Sequence, residues 1–472
     1  MIVLTNNQIH IKTTTELLAM FRINSAYLAD GHERDTRFIN ETWDGYKYIC
    51  DYKGTLLGGH LPTVLQVFSN DLIKDTRKVL PTIEFWDDSF KGIYGKYTPT
   101  VFQKNAYLSM VGYIDNGLIY PRGILDMATN AGKSLVMAMA VNTLLQFSPN
   151  IKILFLFQQT ELLDQLSELF IELNIQHNLL LSEVEMKRRK VKVNESGVLF
   201  AMGRTLYNNL EKYEDYLESC DCVMVDECHL FGADEMNKVL TMCNAWGRWG
   251  FSGTPFSGKT VEQQNIIMGQ FGSILYTVTN QQLIEAGISA KPTISIIEYD
   301  LFGNYYDYQG ALKAIINSAE RNNIAYKWIK KNPHKRYLVI VEQKEHIEKL
   351  EALLQEFEPL PYHADLSSKT RKEYLRAFKE KECNVLIANG TAKHGLNVKD
   401  INVIIYLRGG KSPVWVNQIV GRGLRLKTTG EQEFDFVDVY DNKHMLRPHS
   451  EERLELYRSE GYTIKTLKDY EI

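Results

Sequence analysis

The chain has 472 residues, 44% hydrophobic and 24% charged, a length that predicts two to four globular domains. Its net charge of −4 excludes attraction of nucleic acid by a global positive field, so any such binding needs a local basic surface. The six cysteines form no C-x-x-C pair, the N-terminus lacks a signal-peptide pattern, and no apolar run is long enough to span a membrane. We therefore expect a cytoplasmic protein with reduced cysteines and no membrane segment.

Residues 1–92 carry no catalytic motif but are rich in aromatic and basic side chains. The segment TWDGYKYICDYKGTLLGGHLP alternates like a β-hairpin and ends in turn residues. Its aromatic residues are Trp43, Tyr46, Tyr48 and Tyr52, and the basic residues of the region are Arg34, Arg37, Lys47, Lys53, Lys74, Arg77 and Lys78. We expect a small α+β accessory domain that holds a phosphate backbone, and a structural cap on the next domain is an equally good interpretation. We also expect the rest of the chain to fold without it.

A helix is predicted to begin just after Pro99, upstream of a strand–loop–helix segment. Gln103 lies in its first turn, and a glutamine amide can both donate to and accept from one edge of adenine. A glutamine at the start of a helix is usually an ordinary surface residue. Gln103 is therefore a candidate base-reading residue only together with a phosphate site nearby.

The strand predicted over 124–127 leads into such a site, the sequence Gly132-Lys133-Ser134 at the start of an apolar helix. This arrangement is typical of a phosphate loop, in which backbone N–H groups and a helix N-terminus bind phosphates. Lys133 then reaches the terminal phosphates and Ser134 binds Mg²⁺. Met127 stands where the strict motif has its first glycine, so the pattern is incomplete although its core is intact. The other loop residues are Thr129, Asn130 and Ala131.

The run Val223–Leu230, VMVDECHL, places two carboxylates directly after a short apolar strand. In an open α/β sheet, ligands bind at the carboxyl ends of the strands. There Asp226 can hold Mg²⁺ while Glu227 orients and deprotonates an attacking water. Alone, the pair is equally consistent with two solvated acids in a loop. The small hydroxyls of Ser252 and Thr254, after the next predicted strand, are expected to lie close to the carboxylates.

A basic run, MKRRKVK, lies between two predicted strands at residues 186–192. Its first four cations are Lys187, Arg188, Arg189 and Lys190. Such a run is most often a solvated turn. A contact with phosphates is an equally good interpretation here.

Residues 289–472 again alternate strands and helices, which predicts a second parallel sheet after a linker at residues 287–292. Near its end the pattern Q-x-x-G-R-x-x-R begins at Gln418. The spacing predicts that Arg422 and Arg425 share one face of a helix. Two fixed guanidinium groups suit the charge that develops during phosphoryl transfer.

The order of these motifs over residues 97–450 resembles that of superfamily 2 helicases. The motifs are GKS, ELLDQ, DECH, SGT, HADLS, HGLN and QIVGRGLR, and their joint order is much more specific than any one of them. The resemblance implies two tandem RecA-like parallel-sheet domains and the cofactors ATP and Mg²⁺. Within the superfamily, the W-D-G and GGHLP segments and the ending KSPVWVNQIVGRGLR are similar to phage UvsW-type helicases, DNA motors that remodel branched intermediates.

The resemblance also implies roles for individual residues. The implied catalytic and Mg²⁺-binding residues are Ser134, Asp226, Glu227, Gln418, Arg422 and Arg425. The implied ATP-binding residues are Gln103, Thr129, Asn130, Ala131, Gly132, Lys133, Gly395 and Asn397. Hydrolysis would be coupled to domain closure through His229, Ser252 and Thr254. The implied DNA contacts are Thr160, Lys187, Arg188, Arg189, Lys190, Arg204, His363 and Thr391.

We expect an α/β fold with domains at residues 1–92, 93–288 and 289–472. The expected function is that of a monomeric, ATP-dependent DNA helicase or translocase that remodels forks, Holliday junctions, D-loops or R-loops. The alternatives are the motor subunit of a restriction or nuclease system, an RNA helicase, and a non-motor ATP-binding scaffold. A nuclease would need more than the E-x-K sequence at Glu342, which lacks a partner acid. The segment around Asn389 departs from the DEAD-box form, which argues against an RNA-unwinding DEAD-box enzyme.

Overall fold

The computed structural model describes residues 1–69, 72–77, 97–115, 118–190, 194–195, 197–301, 305–390, 398–410, 412–428, 430, 432–442 and 445–467. These residues form two compact units, Met1–Val278 and Thr279–Ile472. No helix in the described ranges is both long and apolar enough to cross a membrane.

The first unit begins with an N-terminal lobe, which we define as residues 1–69 and 72–77. Its four-stranded sheet has the order β5-β2-β1-β6, in which β1 pairs antiparallel with β2 and parallel with β6. The strands are β1 (Ile2–Leu4), β2 (Gln8–Ile11), β3 (Ala26–Leu28), β4 (Tyr46–Tyr48), β5 (Thr55–Leu57) and β6 (Ile73–Asp75). The helices are α1 (Thr15–Asn24), α2 (Thr36–Ile39) and α3 (Leu61–Val67).

The hairpin predicted for the aromatic segment of this lobe is wrong. Strand β4 pairs with β3 in a separate two-stranded sheet, whereas β5 pairs with β2. A single bridge between Cys50 and Leu56 is what joins the two halves of the segment. Alternation along the chain identified extended residues but could not identify their distant partners.

The N-terminal lobe is part of the first unit rather than a separate compact body. Its β1–β2 turn packs on the next sheet, where Asn6 Nδ2 donates to Asn244 O at 3.0 Å and Asn7 Nδ2 donates to Thr241 O at 2.9 Å. In return, the buried guanidinium of Arg122 donates to Asn6 O and that of Arg248 donates to Asn7 Oδ1. The predicted boundary at residue 92 lies outside the described residues, and the described part of the lobe groups with the first parallel sheet in one compact unit.

The main sheet of the first unit is parallel and has the order β11-β12-β10-β13-β14-β9-β15. A two-stranded hairpin, β7 (Tyr113–Asp115) and β8 (Leu118–Tyr120), precedes the main sheet in the chain. The strands of the main sheet are β9 (Arg122–Met127), β10 (Ile153–Phe157), β11 (Asn178–Leu180), β12 (Val198–Met202), β13 (Cys222–Asp226), β14 (Gly247–Ser252) and β15 (Ile274–Val278). Strand β10, with the sequence ILFLF, is buried along its whole length, as expected for a parallel strand covered by helices on both faces.

Eight helices belong to this part of the described chain. They are α4 (Val101–Ser109), α5 (Lys133–Phe147), α6 (Thr160–Glu172), α7 (Glu183–Arg189), α8 (Gly203–Tyr207), α9 (Leu210–Ser219), α10 (Asp234–Met242) and α11 (Val261–Phe271). Helix α4 begins with a complete capping box between Thr100 and Gln103.

The second unit has another seven-stranded parallel sheet, in the order β18-β19-β17-β20-β21-β16-β22. The strands are β16 (Lys291–Tyr299), β17 (Tyr337–Ile340), β18 (Leu360–Tyr362), β19 (Val385–Ala388), β20 (Val403–Tyr406), β21 (Glu433–Asp441) and β22 (Thr463–Leu467). The helices are α12 (Asn280–Glu285), α13 (Tyr308–Asn317), α14 (Ala319–Lys331), α15 (Lys344–Leu353), α16 (Ser368–Lys379), α17 (Pro413–Gly423) and α18 (Leu446–Ser459). The predicted α/β fold class with two tandem parallel-sheet domains is confirmed.

The division between the two units falls about ten residues before the predicted linker at residues 287–292. Helix α12 belongs to the second unit because Asn280 Nδ2 donates to Glu460 Oε2 at 3.0 Å. Part of the supposed linker is itself strand β16, which begins at Lys291, and Ala290 is fully buried in the core of the second unit. Gly287 has φ of 68°, so the glycine marks the end of α12 rather than an interdomain hinge.

Candidate active site

The phosphate loop lies between the buried strand β9 and helix α5, as the sequence predicted. Asn130 and Gly132 both have φ of 80°, which places two left-handed residues inside the loop. Met127, by contrast, is the last residue of β9 and is fully buried. The missing first glycine is tolerated because the backbone at Met127 is extended and needs no glycine there.

Two side chains hold this loop in its present shape. Lys133 Nζ donates to the carbonyl oxygen of Met127 at 3.1 Å. Gln103 Nε2 donates to Ala131 O at 3.1 Å, while Gln103 Oε1 accepts the backbone N–H of Thr100 at 2.8 Å. Both polar ends of the Gln103 amide are thus used within the protein, and its role as a reader of adenine stays a prediction. The contact to Ala131 was not predicted from the sequence.

The carboxylate pair stands at the carboxyl end of β13, two strands from β9 across the sheet. Burial, together with the charge of Glu227, raises the pKa of Asp226 to about 7, and the charge of Lys133 opposes this shift. Asp226 Oδ1 accepts the backbone N–H of Glu227 at 3.0 Å. Glu227 itself has φ of 52°, an unfavourable left-handed backbone for a residue that is not glycine. The fold therefore holds the proposed catalytic base in a strained conformation.

His229 connects this base to the next strand. Its Nδ1 lies 3.2 Å from Glu227 Oε2 and 2.9 Å from Ser252 Oγ, and the imidazole is almost completely buried. Ser252 Oγ also accepts the backbone N–H of Thr254 at 3.1 Å. A proton on Nδ1 satisfies all these contacts, since the hydroxyl oxygen can accept twice. The three residues predicted to couple hydrolysis to conformational change are thus brought together with Glu227, and the coupling itself stays a prediction.

The middle residue of DECH, Cys228, is a packing residue. It is fully buried, and a Cβ at Gly250 would lie 2.9 Å from Cys228 Cβ. Burial raises the pKa of its thiol well above its ordinary range, and the nearby charges of Glu227, Asp226 and Asp126 act in the same direction. Asp126 was not predicted as part of the site, although an acid within the apolar strand RGILDM was a visible signal. It pairs in register with Ser252 of β14.

The second unit carries the Q-x-x-G-R-x-x-R segment at the end of α17. Gln418 and Arg422 lie on α17, and Arg422 is 9% exposed. Helix α17 ends at Gly423, its C-cap Leu424 keeps right-handed helical backbone angles, and Arg425 follows directly. A shared face for Arg422 and Arg425 stays a prediction. Burial lowers the pKa of Arg425. The role of these arginines in phosphoryl transfer stays a prediction.

The remaining predicted contacts are scattered along both units. Thr160 is the first residue of α6 and is half-buried, whereas Arg204 on α8 is exposed. His363 directly follows β18. Residues 186–189 of the basic run form the last part of α7, Lys190 ends that helix, and residues 191 and 192 lie outside the described residues. The predicted residues Thr391, Gly395 and Asn397 lie outside the described residues.

Two family models match the chain over separate segments. Residues 96–257 match the model described as "Type III restriction enzyme, res subunit", and residues 320–427 match the "Helicase conserved C-terminal domain". The curated protein "ATP-dependent DNA helicase uvsW" of Enterobacteria phage T4 is 24% identical, and the alignment covers 94% of each chain.

Solved structures show the same fold at low sequence identity. A fragment of a putative HsdR subunit of a type I restriction enzyme from Vibrio vulnificus matches with a TM-score of 0.59 and 18% identity, over 79% of this chain and 69% of that one. Dbp5 of Saccharomyces cerevisiae, bound to RNA and ADP BeF3, matches with a TM-score of 0.53 and 12% identity, over 79% and 90% of the two chains. The phosphate loop, the carboxylate pair and the tandem sheets fit these matches. The chain is an ATP-dependent helicase that is similar to the UvsW-like helicases of superfamily 2.

Proposed function

We propose that this helicase is a DNA helicase or translocase that remodels branched DNA, through fork regression, Holliday-junction branch migration, or unwinding of D-loops or R-loops. The observation that supports this most is the similarity to the phage T4 DNA helicase, which spans 94% of both chains and so extends beyond the two parallel sheets. A protein similar only in its motor would align over those sheets alone. The N-terminal lobe is therefore part of what the two proteins share.

The side chains at the nucleotide site suit ATP and Mg²⁺. Ser134 and Asp226 offer a hydroxyl and a carboxylate, the hard oxygen ligands that Mg²⁺ prefers. The raised pKa of Asp226 fits a position that is completed by a cation, because a positive charge beside it would favour its ionised form. Bound Mg²⁺ would neutralise charge on the phosphates. Lys133 would release the Met127 carbonyl and bind the terminal phosphates.

In this proposal Glu227 accepts the proton of the attacking water. His229 keeps that carboxylate oriented and also contacts Ser252. A movement of Glu227 during hydrolysis can therefore shift the segment that carries Ser252 and Thr254. Arg422 and Arg425 would stabilise the charge that develops on the transferred phosphoryl group. The protein would work as a monomer, with DNA as its partner.

A restriction-system motor is the second candidate, since one family model and the HsdR fragment carry such names. The only nuclease-like sequence that we identified, at Glu342, does not support it. Both carboxylate oxygens of Glu342 are taken by Arg408, at 2.5 Å each. Lys344 pairs instead with Asp365 at 3.1 Å. These side chains form a structural ion-pair network rather than a metal-dependent nuclease site.

ATP turnover separates the candidates when it is measured without nucleic acid and with four-way junctions, forks, plain duplex, and single-stranded RNA. We expect forks and junctions to stimulate turnover most and to be converted to regressed or migrated products. Stimulation by RNA alone would support an RNA helicase, and equal stimulation by plain duplex would favour a restriction-type motor. Turnover that no nucleic acid changes would support a non-motor ATP-binding protein.

A further inference from the structure

The basic run of α7 divides into two pairs of cations with different surroundings. Arg189 is held by Asp164 of α6, at 2.5 and 3.0 Å, and by Glu185 at 3.1 Å. Arg188 pairs with Glu185 at 2.7 Å. Within the described ranges, no carboxylate forms an ion pair with Lys187 or Lys190, and both lysines are exposed. Arg189 therefore fastens α7 to α6 and Arg188 pairs within α7, while the charges of Lys187 and Lys190 face solvent.

These two lysines line a cleft between α7 and the α8–α9 segment, which we call the α7–α9 cleft. It has a volume of about 640 Å³, and its third cation is Lys212 of α9. The floor is apolar and is formed by Leu181, Met186 and Tyr213, all of them buried. The Lys212 ammonium lies 5.2 Å from the centre of the Tyr213 ring.

The chemistry of the cleft suits a nucleotide. A volume of some hundreds of Å³ is ordinary for a small-ligand pocket, an apolar floor accepts the face of a base, and three ammonium groups at the rim attract phosphates. One lining carboxylate, that of Glu183, leaves an excess of two positive charges among these side chains. An acidic peptide would use the lysines but would leave the apolar floor without a partner.

The position of the cleft connects it to the proposed activity. The cleft opens where β11 and β12 end, at the same carboxyl edge of the sheet as the carboxylate pair. Strand β12 is two places from β13, which is roughly 10 Å at the usual strand spacing. Arg204, a predicted DNA contact, lies next to the lining residue Thr205. A strand that crosses this edge of the sheet therefore passes the mouth of the cleft.

We propose that the α7–α9 cleft takes one unstacked nucleotide of the bound DNA strand. Its base lies against the apolar floor, and Lys187, Lys190 and Lys212 bind the phosphates on either side. The inference rests on the proposed DNA-binding function and names the part of the first unit that holds the strand.

The test uses the full chain and measures binding of single-stranded DNA against salt concentration. Each phosphate contact on a single strand contributes about 0.7 to the slope of log K against log salt. The variant with Lys187→Gln, Lys190→Gln and Lys212→Gln removes the contacts to the two flanking phosphates and should therefore lose about 1.4 from that slope, and Lys187→Gln alone at most about 0.7. The matched control is Lys238→Gln, which removes an exposed cation of α10 that does not line the cleft, and it should leave the slope unchanged.

A second variant tests the base rather than the phosphates. Asn208→Trp places a large side chain at the exposed rim of the cleft and keeps all three lysines. A strand containing 2-aminopurine should brighten on binding to the unchanged protein, because unstacking relieves quenching, and it should brighten much less with this variant. An unchanged salt slope in the triple variant, or undiminished brightening with Asn208→Trp, would overturn the proposal.

Two further measurements distinguish a failure of the inference about the α7–α9 cleft from a failure of the proposed function. If the unchanged protein binds no DNA, the proposed function fails before the variants are compared. If a free mononucleotide binds to the cleft as tightly as the strand does, the site is one for small nucleotides and the inference is wrong. ATP turnover without DNA should be equal in all these variants, since none of the substituted residues lies at the phosphate loop.

Discussion

Gly59 lies where the N-terminal lobe packs closely against helix α11 of the first unit. A Cβ built at Gly59 would lie 1.9 Å from Met268 O, 2.7 Å from Gly269 O and 2.7 Å from the nitrogen of Gly272, all of them backbone atoms around the end of α11. Contacts below 3.0 Å essentially never occur, so Gly59→Ala forces the two backbones apart by about 1.1 Å. The φ of Gly59 lies outside the left-handed range, so the contact alone causes the strain.

The free-energy cost follows from what this separation breaks. Overpacking of this kind costs about 1–3 kcal/mol. The movement also threatens the hydrogen bond from Tyr120 Oη to Gly58 O, which is 2.7 Å long, and the bond from the buried Arg122 to Asn6 O. Each buried polar group left unpaired adds about 1–3 kcal/mol. We therefore expect Gly59→Ala to destabilise the first unit by on the order of 4 kcal/mol, which corresponds to roughly 10 °C in its unfolding midpoint.

The measurement is thermal and urea unfolding of the full chain, followed by the fluorescence of its tryptophans, of which Trp249 is fully buried in the first unit. Gly31→Ala is the matched control, because Gly31 lies in the same lobe with φ of 69° and has no atom within 4 Å of the added Cβ. Backbone strain alone should cost that variant about 1–2 kcal/mol. Equal midpoints for Gly59→Ala and Gly31→Ala would refute the reasoning that the lobe and the sheet fold as one unit.

Four further predictions concern the nucleotide site. Lys133→Ala should nearly abolish ATP turnover because the terminal phosphates lose their cation, and ordinary turnover would exclude the phosphate-loop assignment. Glu227→Gln should bind a fluorescent ATP analogue normally but not hydrolyse ATP, since an amide cannot take the proton from water; lost binding would indicate a structural role. Arg422→Ala should keep nucleotide affinity within a small factor and lose about 10³-fold or more in turnover, whereas weaker binding with normal turnover at saturation would make it a ground-state contact. Because the pKa of Asp226 is raised to about 7, less of its carboxylate is ionised below that pH. The Mg²⁺ concentration that supports half-maximal turnover should therefore rise roughly tenfold per pH unit below 7. An equal Mg²⁺ concentration at pH 6 and pH 8 would contradict this.

Features that depend on neighbouring residues could be predicted from the sequence. The phosphate loop and the carboxylate pair lie on contiguous segments, where a buried strand ends and the polar residues follow at once. The left-handed conformation of Asn130 is of the same kind, because asparagine tolerates that backbone better than most residues. Two parallel sheets followed from the alternation of apolar strands with helices.

Features that depend on distant partners could not be predicted in this way. Arg189 looks like Lys187 in the sequence, and only the position of Asp164 on another helix shows that Arg189 is structural. Arg248 donates a hydrogen bond to the side chain of Asn7, which lies more than two hundred positions away in the sequence. A spacing of three implies a shared face only while the helix continues, and α17 ends at Gly423, two residues before Arg425.

Because the N-terminal lobe packs on the first parallel sheet, deletion of residues 1–92 does not isolate the contribution of the lobe to DNA preference. Without the lobe, Arg122 loses its acceptor at Asn6 and Arg248 loses the side chain of Asn7, which leaves two buried cations with fewer partners. Burial already lowers the pKa of Arg122 to about 9. Losing a partner of a buried charge typically costs several kcal/mol, so a truncated chain would report on stability as much as on DNA preference.

The two strands that receive the lobe, β9 and β14, lead at their other ends to the phosphate loop and to Ser252. Arg122 begins β9, which leads into the phosphate loop, and Arg248 lies near the start of β14, which ends at Ser252. Each strand has six residues, about 20 Å in length, and both are hydrogen-bonded to neighbours on either side. Central strands of a parallel sheet resist bending because every residue is fixed by two ladders and by packing on both faces. The lobe is therefore joined to the nucleotide site through two strands that are fixed on both sides. We expect a load on the lobe to reach the nucleotide site through these strands.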